Sequence, residues 1–238
     1  MELPFRLLYQ DEHFFAIDKP AGFFVHPPEL SPYPVPKEKI CLYHLRRTMK
    51  KDVIPVHRLD APTSGVLLFA MSRDKARELN RLFAERQMHK TYQAVVRGYV
   101  EPEGLIDLPL EADEGRITVE AQTQYKTLAQ IELPYPVGKK YPTSRYSLVQ
   151  VHPITGRWHQ IRRHFDRIAH PLLGDIEHGD SHHNRFFRDT LQIQGLCLKA
   201  TAIELQHPWS GEKISIQAPP CEKWERIHHL FQHGSDAI

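Results

Sequence analysis

The sequence predicts an α+β protein whose mostly antiparallel, mixed central sheet is flanked by helices and loops. Three observations predict this class. Short apolar runs separated by Pro and Gly recur along the 238 residues and are typical of strands. A few longer segments repeat their apolar residues at helical spacing. No stretch has the composition of a linker, so we expect one catalytic domain spanning residues 1–238.

The elements of the first third follow in chain order. The predicted elements are strands at Phe5–Tyr9 and Phe14–Ile17, a helix at about 39–50, strands at Val53–Val56 and Gly65–Ala70, and a helix after Ser72 that runs to about Arg86. Ser72 is a plausible N-cap because its hydroxyl can accept a hydrogen bond from the first turn. Ala76, Leu79 and Phe83 then keep helical spacing, which predicts that one face of this helix is buried.

The rest of the chain contains more strands than helices. The predicted strands are Thr91–Arg97, one or two within Ile117–Leu128, then Arg145–Val151, Leu196–Leu205 and Lys213–Ala218. A helix is predicted from Gly156 to about Ile168, because apolar residues recur at spacings of three, four and three from Trp158 onward. The tail from Cys221 to Ile238 is predicted to be partly helical and is assigned no function.

Composition and charge exclude several classes of protein. Hydrophobic residues make up 41% and charged residues 25%, which are ordinary values for a folded protein. The formal net charge of +2 excludes a histone-like polycation but allows a local basic surface. The three cysteines are far apart, which indicates reduced thiols. With no signal peptide or membrane-length apolar run, we expect a cytoplasmic protein without a membrane partner.

Three segments concentrate the residues that carry chemistry. Residues 57–65, HRLDAPTSG, place an acid and an arginine at a strand-to-turn junction, which indicates either a presented carboxylate or, equally well, an ordinary turn. Residues 152–164 hold three arginines, three histidines and a tryptophan. Such a surface can hold phosphates and stack bases, or it can be a solvated amphipathic helix. Residues 90–98 alone indicate only a strand with a core tyrosine.

A run of histidines raises the question of a metal site. His170, His178, His182 and His183 are close in sequence, but no HExxH or paired-cysteine pattern accompanies them. Glycine-rich nucleotide-binding loops are also missing. We therefore expect neither a metal nor a cofactor.

Taken together, these segments resemble the RluA-type pseudouridine synthases. Residues 57–65 match the family's HRLDxxTSG signature, and residues 17–22 resemble its NKPxG element with Asp18 in the usual Asn place. Residues 90–98 resemble KxYxAxVxG, and residues 153–164 and 170–175 resemble PxTGRxHQIRxH and HPIxGD. Lys199 stands where the family often has His. The likeness covers about residues 5–218 and implies the pseudouridine-synthase-type fold.

A narrower likeness points to the TruC branch of the family. Residues 141–146 and 174–185 resemble segments of that branch, whose members isomerise uridine 65 of tRNA. No S4-type RNA-binding domain precedes the catalytic part, which also agrees with that branch. This likeness implies that the partner is RNA, with tRNA expected, and we expect the enzyme to act as a monomer.

The resemblance also implies a role for each site residue. Asp60 is the expected nucleophile, Arg162 would orient and ionise it, and Tyr92 would stack on the uracil and could move a proton at C5. The expected substrate-binding residues are Arg58, which could fill the gap left by the extruded base, Ile161 and Leu198, which would line the apolar wall, and Arg157, His159 and Gln160. The candidate phosphate contacts are Arg157, Arg163, Lys139, Lys140 and Arg185.

Three alternatives remain open at the level of sequence. The same chemistry on ribosomal RNA is disfavoured only by the narrower motifs. An RNA-binding protein without catalysis is disfavoured by the presence of Asp60, Tyr92 and Arg162. A metallohydrolase that uses the histidines is a distant last choice, and chelation would distinguish it, since an isomerase should be unaffected.

Overall fold

A computed structural model describes residues 3–28, 34–112, 117–138 and 140–234. The chain forms two compact units, each made of two separate stretches. The first contains Met1–Lys90 and Lys199–Ala218, and the second contains Thr91–Leu198 and Pro219–Ile238. The prediction of a single domain stays a prediction. No helix in the described ranges is both long and apolar enough to cross a bilayer.

The first unit is a sheet covered by helices. Its elements are β1 (Arg6–Gln10), β2 (Phe14–Lys19), a short 3-10 helix (Lys37–Lys39), α1 (Cys41–Met49), β3 (Ile54–Pro55), β4 (Ser64–Ala70), α2 (Arg73–Ala84), β11 (Leu198–Gln206) and β12 (Lys213–Gln217). The strand order is β1-β2-β4-β11, with β3 on β4 and β12 on β11. Every residue of β4 is buried, as expected for a strand covered on both faces. The pairing of β4 with β11 is parallel, and the others in this unit are antiparallel.

The second unit is built on a twisted antiparallel sheet. Its elements are β5 (His89–Arg97), β6 (Glu103–Asp107), β7 (Leu110–Ala112), β8 (Ile117–Val119), β9 (Gln122–Leu133), β10 (Ser144–Pro153), α3 (Gln160–Arg167), α4 (Ser181–Asp189) and α5 (Glu222–His233). The main sheet has the order β5-β10-β9-β6, and β7 pairs with β8. A core of buried side chains from β5, β9 and β10 packs against α4 and α5, with Trp224 fully buried.

The α+β class and the mostly antiparallel sheet are confirmed, but some element bounds differ. Ser72 caps α2 as predicted and accepts a hydrogen bond from Lys75 N–H. The helix predicted from Gly156 begins only at Gln160, because His159 has a left-handed backbone (φ +48°) that a helix cannot contain. Trp158 therefore lies outside the helix and is 58% exposed. Helix α4 was not predicted, although Asp180 caps it through the N–H groups of His182 and His183.

Candidate active site

The turn that carries Asp60 is fixed by an earlier turn of the first unit. The Asp60 carbonyl accepts a hydrogen bond from Thr63 N–H at 3.0 Å, which closes the turn between β3 and β4. The next carbonyl, that of Ala61, accepts from Gly22 N–H at 2.7 Å and from Lys19 Nζ at 3.1 Å. Two segments that carry the family resemblance, residues 17–22 and 57–65, therefore meet at one carbonyl oxygen. Asp60 itself is half-buried on this turn.

Lys19 supplies a buried positive charge beside this turn. Its side chain is fully buried, and Nζ also donates to the carbonyls of Pro20 (3.1 Å) and Phe23 (2.7 Å). Burial lowers the pKa of Lys19 to about 8, and electrostatic interactions with Cys41 and Asp60 partly offset this effect. The Lys19 ammonium and Asp60 therefore interact electrostatically within the first unit.

The residues before Asp60 alternate between the interior and the surface. His57 Nε2 accepts a hydrogen bond from Leu68 N–H at 3.1 Å, so its proton is on Nδ1. Burial lowers the pKa of His57 to about 3, which keeps the ring neutral. Leu59 is buried, whereas Arg58 is exposed. The exposed Arg58 side chain is thus available to the RNA-contacting role that the sequence predicts.

The residues after Asp60 bring two strands unusually close. Gly65 has φ +113°, and a Cβ at this position would lie 1.9 Å from the carbonyl oxygen of Ala200. Only glycine tolerates both conditions. Within the described ranges, the buried hydroxyls of Thr63 and Ser64 have no hydrogen-bond partner. The signature after Asp60 therefore has a packing reason at Gly65.

Arg162 is a buried charge of the second unit that is held by several hydrogen bonds. Its side chain is 2% exposed, and Nε and Nη2 donate to the two oxygens of Asp175 at 2.6 and 2.7 Å. Nη2 also donates to Glu177 Oε1 at 3.2 Å. Burial alone would lower the pKa of Arg162, but the two carboxylates raise it, so the guanidinium stays charged. The planar two-point contact fixes the direction of the guanidinium.

Asp175, to which the sequence motifs give no role, is itself fixed by backbone N–H groups. Its Oδ1 accepts from the N–H groups of Glu177 and His178, each at 3.0 Å. Burial raises the pKa of Asp175, but the bonds from Arg162 and from these N–H groups outweigh it and lower the pKa. The HPIxGD-like segment contained the signal, since its only acid is Asp175.

His159 connects Arg162 to a small cluster of side chains. Arg162 Nη1 donates to His159 Nε2 at 2.8 Å, which leaves the proton of the neutral ring on Nδ1. His159 Nδ1 lies 3.1 Å from His178 Nε2 and 3.5 Å from Glu177 Oε2. These three residues could in principle surround a cation. A metal on Nδ1 would require the proton to move to Nε2 at the expense of the bond from Arg162. The contacts as they stand form a hydrogen-bond chain.

The other predicted histidines are separated by their own partners. His170 Nδ1 lies 2.7 Å from the Arg97 carbonyl, and His183 Nδ1 lies 2.9 Å from the Tyr146 hydroxyl. His182 is largely exposed and lies 3.7 Å from Asp180. Each ring has a separate local contact.

Helix α3 is anchored to β9 by two of its polar residues. Gln160 Nε2 and His164 Nδ1 both reach Thr123 Oγ1 at 2.9 Å, and Gln160 Nε2 also donates to the Gln122 carbonyl. Gln160 Oε1 accepts from Thr155 Oγ1 and from Arg157 N–H. The structure thus places the Gln160 side chain inside the protein, where it supports the turn before α3.

The other predicted residues of the catalytic and substrate-binding set belong to the second unit. Tyr92 is 8% exposed on β5, opposite Val151, and Ile161 and Leu198 are also buried. Arg157 is exposed, and its Nε donates to the Glu120 carbonyl at 2.9 Å. Lys139 lies outside the described residues.

The structure joins Arg157, His159, Gln160 and Arg162 through the contacts above, whereas Arg58 and Asp60 belong to the first unit. The pairing of Arg162 with Asp60 stays a prediction. Chemically, the first unit offers a carboxylate on a fixed turn, and the second offers a fixed guanidinium and a buried tyrosine.

Comparison with known proteins assigns a family to these motifs. The family model described as RNA pseudouridylate synthase matches residues 13–167. A protein of Vibrio parahaemolyticus named tRNA pseudouridine synthase C is 39% identical to this chain, over 98% of this chain and 97% of the relative. The protein of the same name in Vibrio cholerae is 41% identical, over 94% of this chain and 95% of the relative. The one in Pasteurella multocida is also 41% identical, over 98% of both chains.

Solved structures support the fold at lower identity. The human RNA pseudouridylate synthase domain containing 4 superimposes with a TM-score of 0.71 at 23% identity, over 95% of this chain and 92% of that one. The human RNA pseudouridylate synthase domain containing 1 superimposes with a TM-score of 0.69 at 23% identity. The match covers 92% of this chain and 86% of that one. The pseudouridine-synthase-type fold implied by the sequence motifs is confirmed.

Proposed function

Because the chain belongs to the RNA pseudouridylate synthase family, we propose that it isomerises a uridine of tRNA to pseudouridine, with Asp60 as the nucleophile. The observation that carries this proposal is the Asp60 turn, which the Ala61 carbonyl fixes to Gly22 and to the buried ammonium of Lys19. The relatives named tRNA pseudouridine synthase C support the substrate class.

The reaction replaces one bond to the sugar by another. The Asp60 carboxylate attacks C1′ while the N1–C1′ bond breaks, and its electron pair stays on the uracil. The uracil turns within the site, and C5 attacks C1′ and displaces the carboxylate. The proton on C5 then moves to a base, and N1 takes up a proton, so the product is an isomer of the substrate. Atoms and electrons balance without a cofactor. A single nucleophilic carboxylate suffices because the base is kept and is not released to water, unlike in glycosidases.

Two residues of the second unit are proposed to complete this site. Arg162 would pair with Asp60 and hold it ionised, and its bonds to Asp175 support this role by fixing the guanidinium. Tyr92 would stack on the uracil and move the C5 proton. Ile161 and Leu198, both buried, would form the apolar wall.

The substrate must present its uridine outside the helical stack. C1′ and N1 cannot be reached in a stacked helix, so the nucleotide has to be extruded at a cost of a few kcal/mol. Arg58 would fill the gap and Arg157 would contact phosphate, and the exposure of both side chains supports these roles. We further propose that the target is uridine 65, in accord with the TruC-like segments.

We propose that the protein works in the cytoplasm as a monomer and without a metal. Cys41 and Cys197 are buried and free, as expected in a reducing compartment. The hydrogen bond from Arg162 to His159 supports the absence of a metal at the histidine cluster. The monomer rests on the expectation from the sequence.

Mapping pseudouridine in total RNA from a strain that lacks this gene tests the proposal. We expect loss of pseudouridine at one tRNA position, restored by the wild-type gene and not by Asp60→Asn. Loss at a ribosomal position with tRNA unchanged would make the ribosomal alternative correct. No loss anywhere, together with RNA binding by the purified protein, would favour the catalytically silent alternative.

A further inference from the structure

A second concave site lies in the second unit, among residues that the proposed reaction does not use. A cavity of about 770 Å³ opens where β5 ends and β10 begins. We call it the tyrosine pocket. The residues of its wall used below are Arg97, Tyr99, Glu132, Lys140, Tyr141 and Arg145. Its volume is within the range of small-molecule sites in proteins.

Two tyrosines give this pocket exposed aromatic surface. Tyr141 is 62% exposed and Tyr99 is 41% exposed, which is unusual for large side chains with so much apolar area. The Arg145 guanidinium lies 5.3 Å from the centre of the Tyr99 ring, and Lys140 Nζ lies 5.1 Å from that of Tyr141. Each ring is thus paired with a cation at the same wall.

The charges of the pocket are unequal. Three cations, Arg97, Lys140 and Arg145, face one carboxylate, Glu132. Arg145 Nε donates to Glu132 Oε2 at 3.1 Å, and Arg97 pairs with Asp180. Lys140 is exposed, so its ammonium can bind a phosphate without first breaking a buried ion pair.

Sheet pairing fixes the backbone of Arg97, Glu132 and Arg145. Arg145 lies opposite Glu132 in the β10–β9 register, and Tyr146 lies opposite Arg97 in the β10–β5 register. Gly98 N–H donates to the Arg145 carbonyl at 2.7 Å. Three paired strands therefore hold Arg97, Glu132 and Arg145 in place, which pre-organises this part of the wall. Lys140 and Tyr141 lie on the connection between β9 and β10.

We propose that the tyrosine pocket binds one nucleotide of the RNA substrate, other than the target uridine, with its base on Tyr141 and its phosphate on Lys140. This inference rests on the proposed action on RNA. Exposed aromatic surface beside cations is the combination that holds single-stranded nucleotides. An acidic peptide would use the cations alone, and an apolar ligand would not need them.

Replacing Tyr141 tests the stacking half of the proposal. We expect Tyr141→Ala to weaken binding of a fluorescein-labelled, unmodified tRNA transcript about tenfold, because it removes one stacked base. The maximal rate at saturating RNA should be unchanged, since Tyr141 has no part in the proposed reaction. Tyr141→Phe keeps the ring and should bind within twofold of the wild type. Equal binding by Tyr141→Ala and the wild type would overturn the proposal.

Replacing Lys140 tests the phosphate half. The slope of log K against log salt should fall by about one for Lys140→Ala, because one counterion fewer is released. Lys213→Ala is the matched control, since Lys213 is 82% exposed on β12 in the first unit and does not line the pocket. A slope for Lys140→Ala equal to that of Lys213→Ala would contradict phosphate binding.

Two further outcomes separate this proposal from the proposed function. If the wild type forms no pseudouridine in any RNA, the proposed function fails. If the wild type acts on tRNA while the Tyr141 and Lys140 variants bind it normally, only the pocket assignment fails. Titration with UMP provides the last test, because UMP binding lost in Tyr141→Ala with unchanged tRNA binding would assign the pocket to a free nucleotide instead.

Discussion

At the scale of single residues, hydrogen bonds hold two buried charges in place, one in each unit. Lys19 and Arg162 are both almost completely buried, and each is surrounded by oxygen acceptors from its own unit. Such charges are costly to bury, so their presence indicates a role beyond packing. Lys19 interacts with Asp60, the proposed nucleophile, and Arg162 is itself proposed to act in the reaction.

Lys19 should make the stability of the protein depend on alkaline pH. Its folded-state pKa of about 8 is below the ordinary 10.5, so the unfolded chain binds more protons between these values. Stability therefore rises with pH in this window, by about 2 kcal/mol between pH 7 and 9.5. Urea unfolding of the wild type and of Lys19→Met across this range measures the effect. A difference between the two proteins that is constant with pH would contradict the lowered pKa.

Asp175 should matter both for folding and for the rate. Asp175→Asn leaves the Arg162 charge buried with weaker compensation, so we expect a loss of about 3 kcal/mol in the free energy of unfolding. The rate at saturating RNA should also fall, because the guanidinium loses its orientation. The matched control is Asp189→Asn, whose exposed pair with Arg188 should contribute little to stability. Equal effects of the two variants on stability and rate would refute the assigned role.

The sequence predicted single residues well where a motif marked them and poorly where the partner was distant. Ser72 was predicted as a cap because capping is local. Asp175 lies 13 residues from Arg162, and no local rule relates the two. The left-handed backbone of His159 was also not predicted, because left-handed backbone is uncommon for residues other than glycine.

At the scale of elements, β2, β4 and β11 form the framework of the Asp60 turn. Asp18 on β2 pairs with Val66, and Lys199 on β11 pairs with Ser64, so both flank the start of β4. Lys199 Nζ lies 4.0 Å from Asp18 Oδ2, and the Lys199 side chain is 2% exposed. The two departures from the family's usual motifs thus face each other as an ion pair.

This pair should behave as a coupled unit. We expect Asp18→Asn and Lys199→His each to destabilise the protein, and the double variant to be more stable than the sum of the two losses predicts. The expected coupling is about 1–2 kcal/mol, the range for contacting charges. A double-mutant cycle by urea unfolding measures it. Additive effects would show that the two departures are independent.

The close approach of β4 and β11 predicts a strong effect at Gly65. Gly65→Ala should lower the free energy of unfolding by about 3 kcal/mol or more, because the backbone must strain and the strands must separate. Gly211→Ala is the control, since Gly211 also has positive φ (+76°) but has open space around it. Its loss should be about 1 kcal/mol. Similar losses at both positions would exclude a contribution from the close approach.

Element boundaries were predictable where apolar periodicity continued without interruption. Strands β2, β4 and β5 lie within one or two residues of their predicted bounds. The prediction for α3 was wrong at its start, because Trp158 fits the apolar spacing although its side chain lies outside the helix. Helix α4 was missed because its histidines and arginines dominate its composition, while only Phe187 is buried.

At the scale of the whole molecule, the net charge of +2 is an average over unlike surfaces. The tyrosine pocket holds three cations against one carboxylate, and Arg58 and Arg157 are exposed. A composition alone cannot show such local differences, because it contains no positions. The motifs predicted the family and the fold, whereas the pocket required the pairing of β5, β9 and β10.

The central claim is that the Asp60 carboxylate performs the reaction, and one measurement tests it most directly. Single-turnover conversion of a tRNA transcript is compared for the wild type and Asp60→Asn, with RNA binding measured in parallel. We predict that Asp60→Asn abolishes conversion and binds RNA within a few fold of the wild type, because removal of a reacting group costs several orders of magnitude in rate. Residual conversion above about 1% of the wild-type rate would contradict the assignment of Asp60 as the nucleophile.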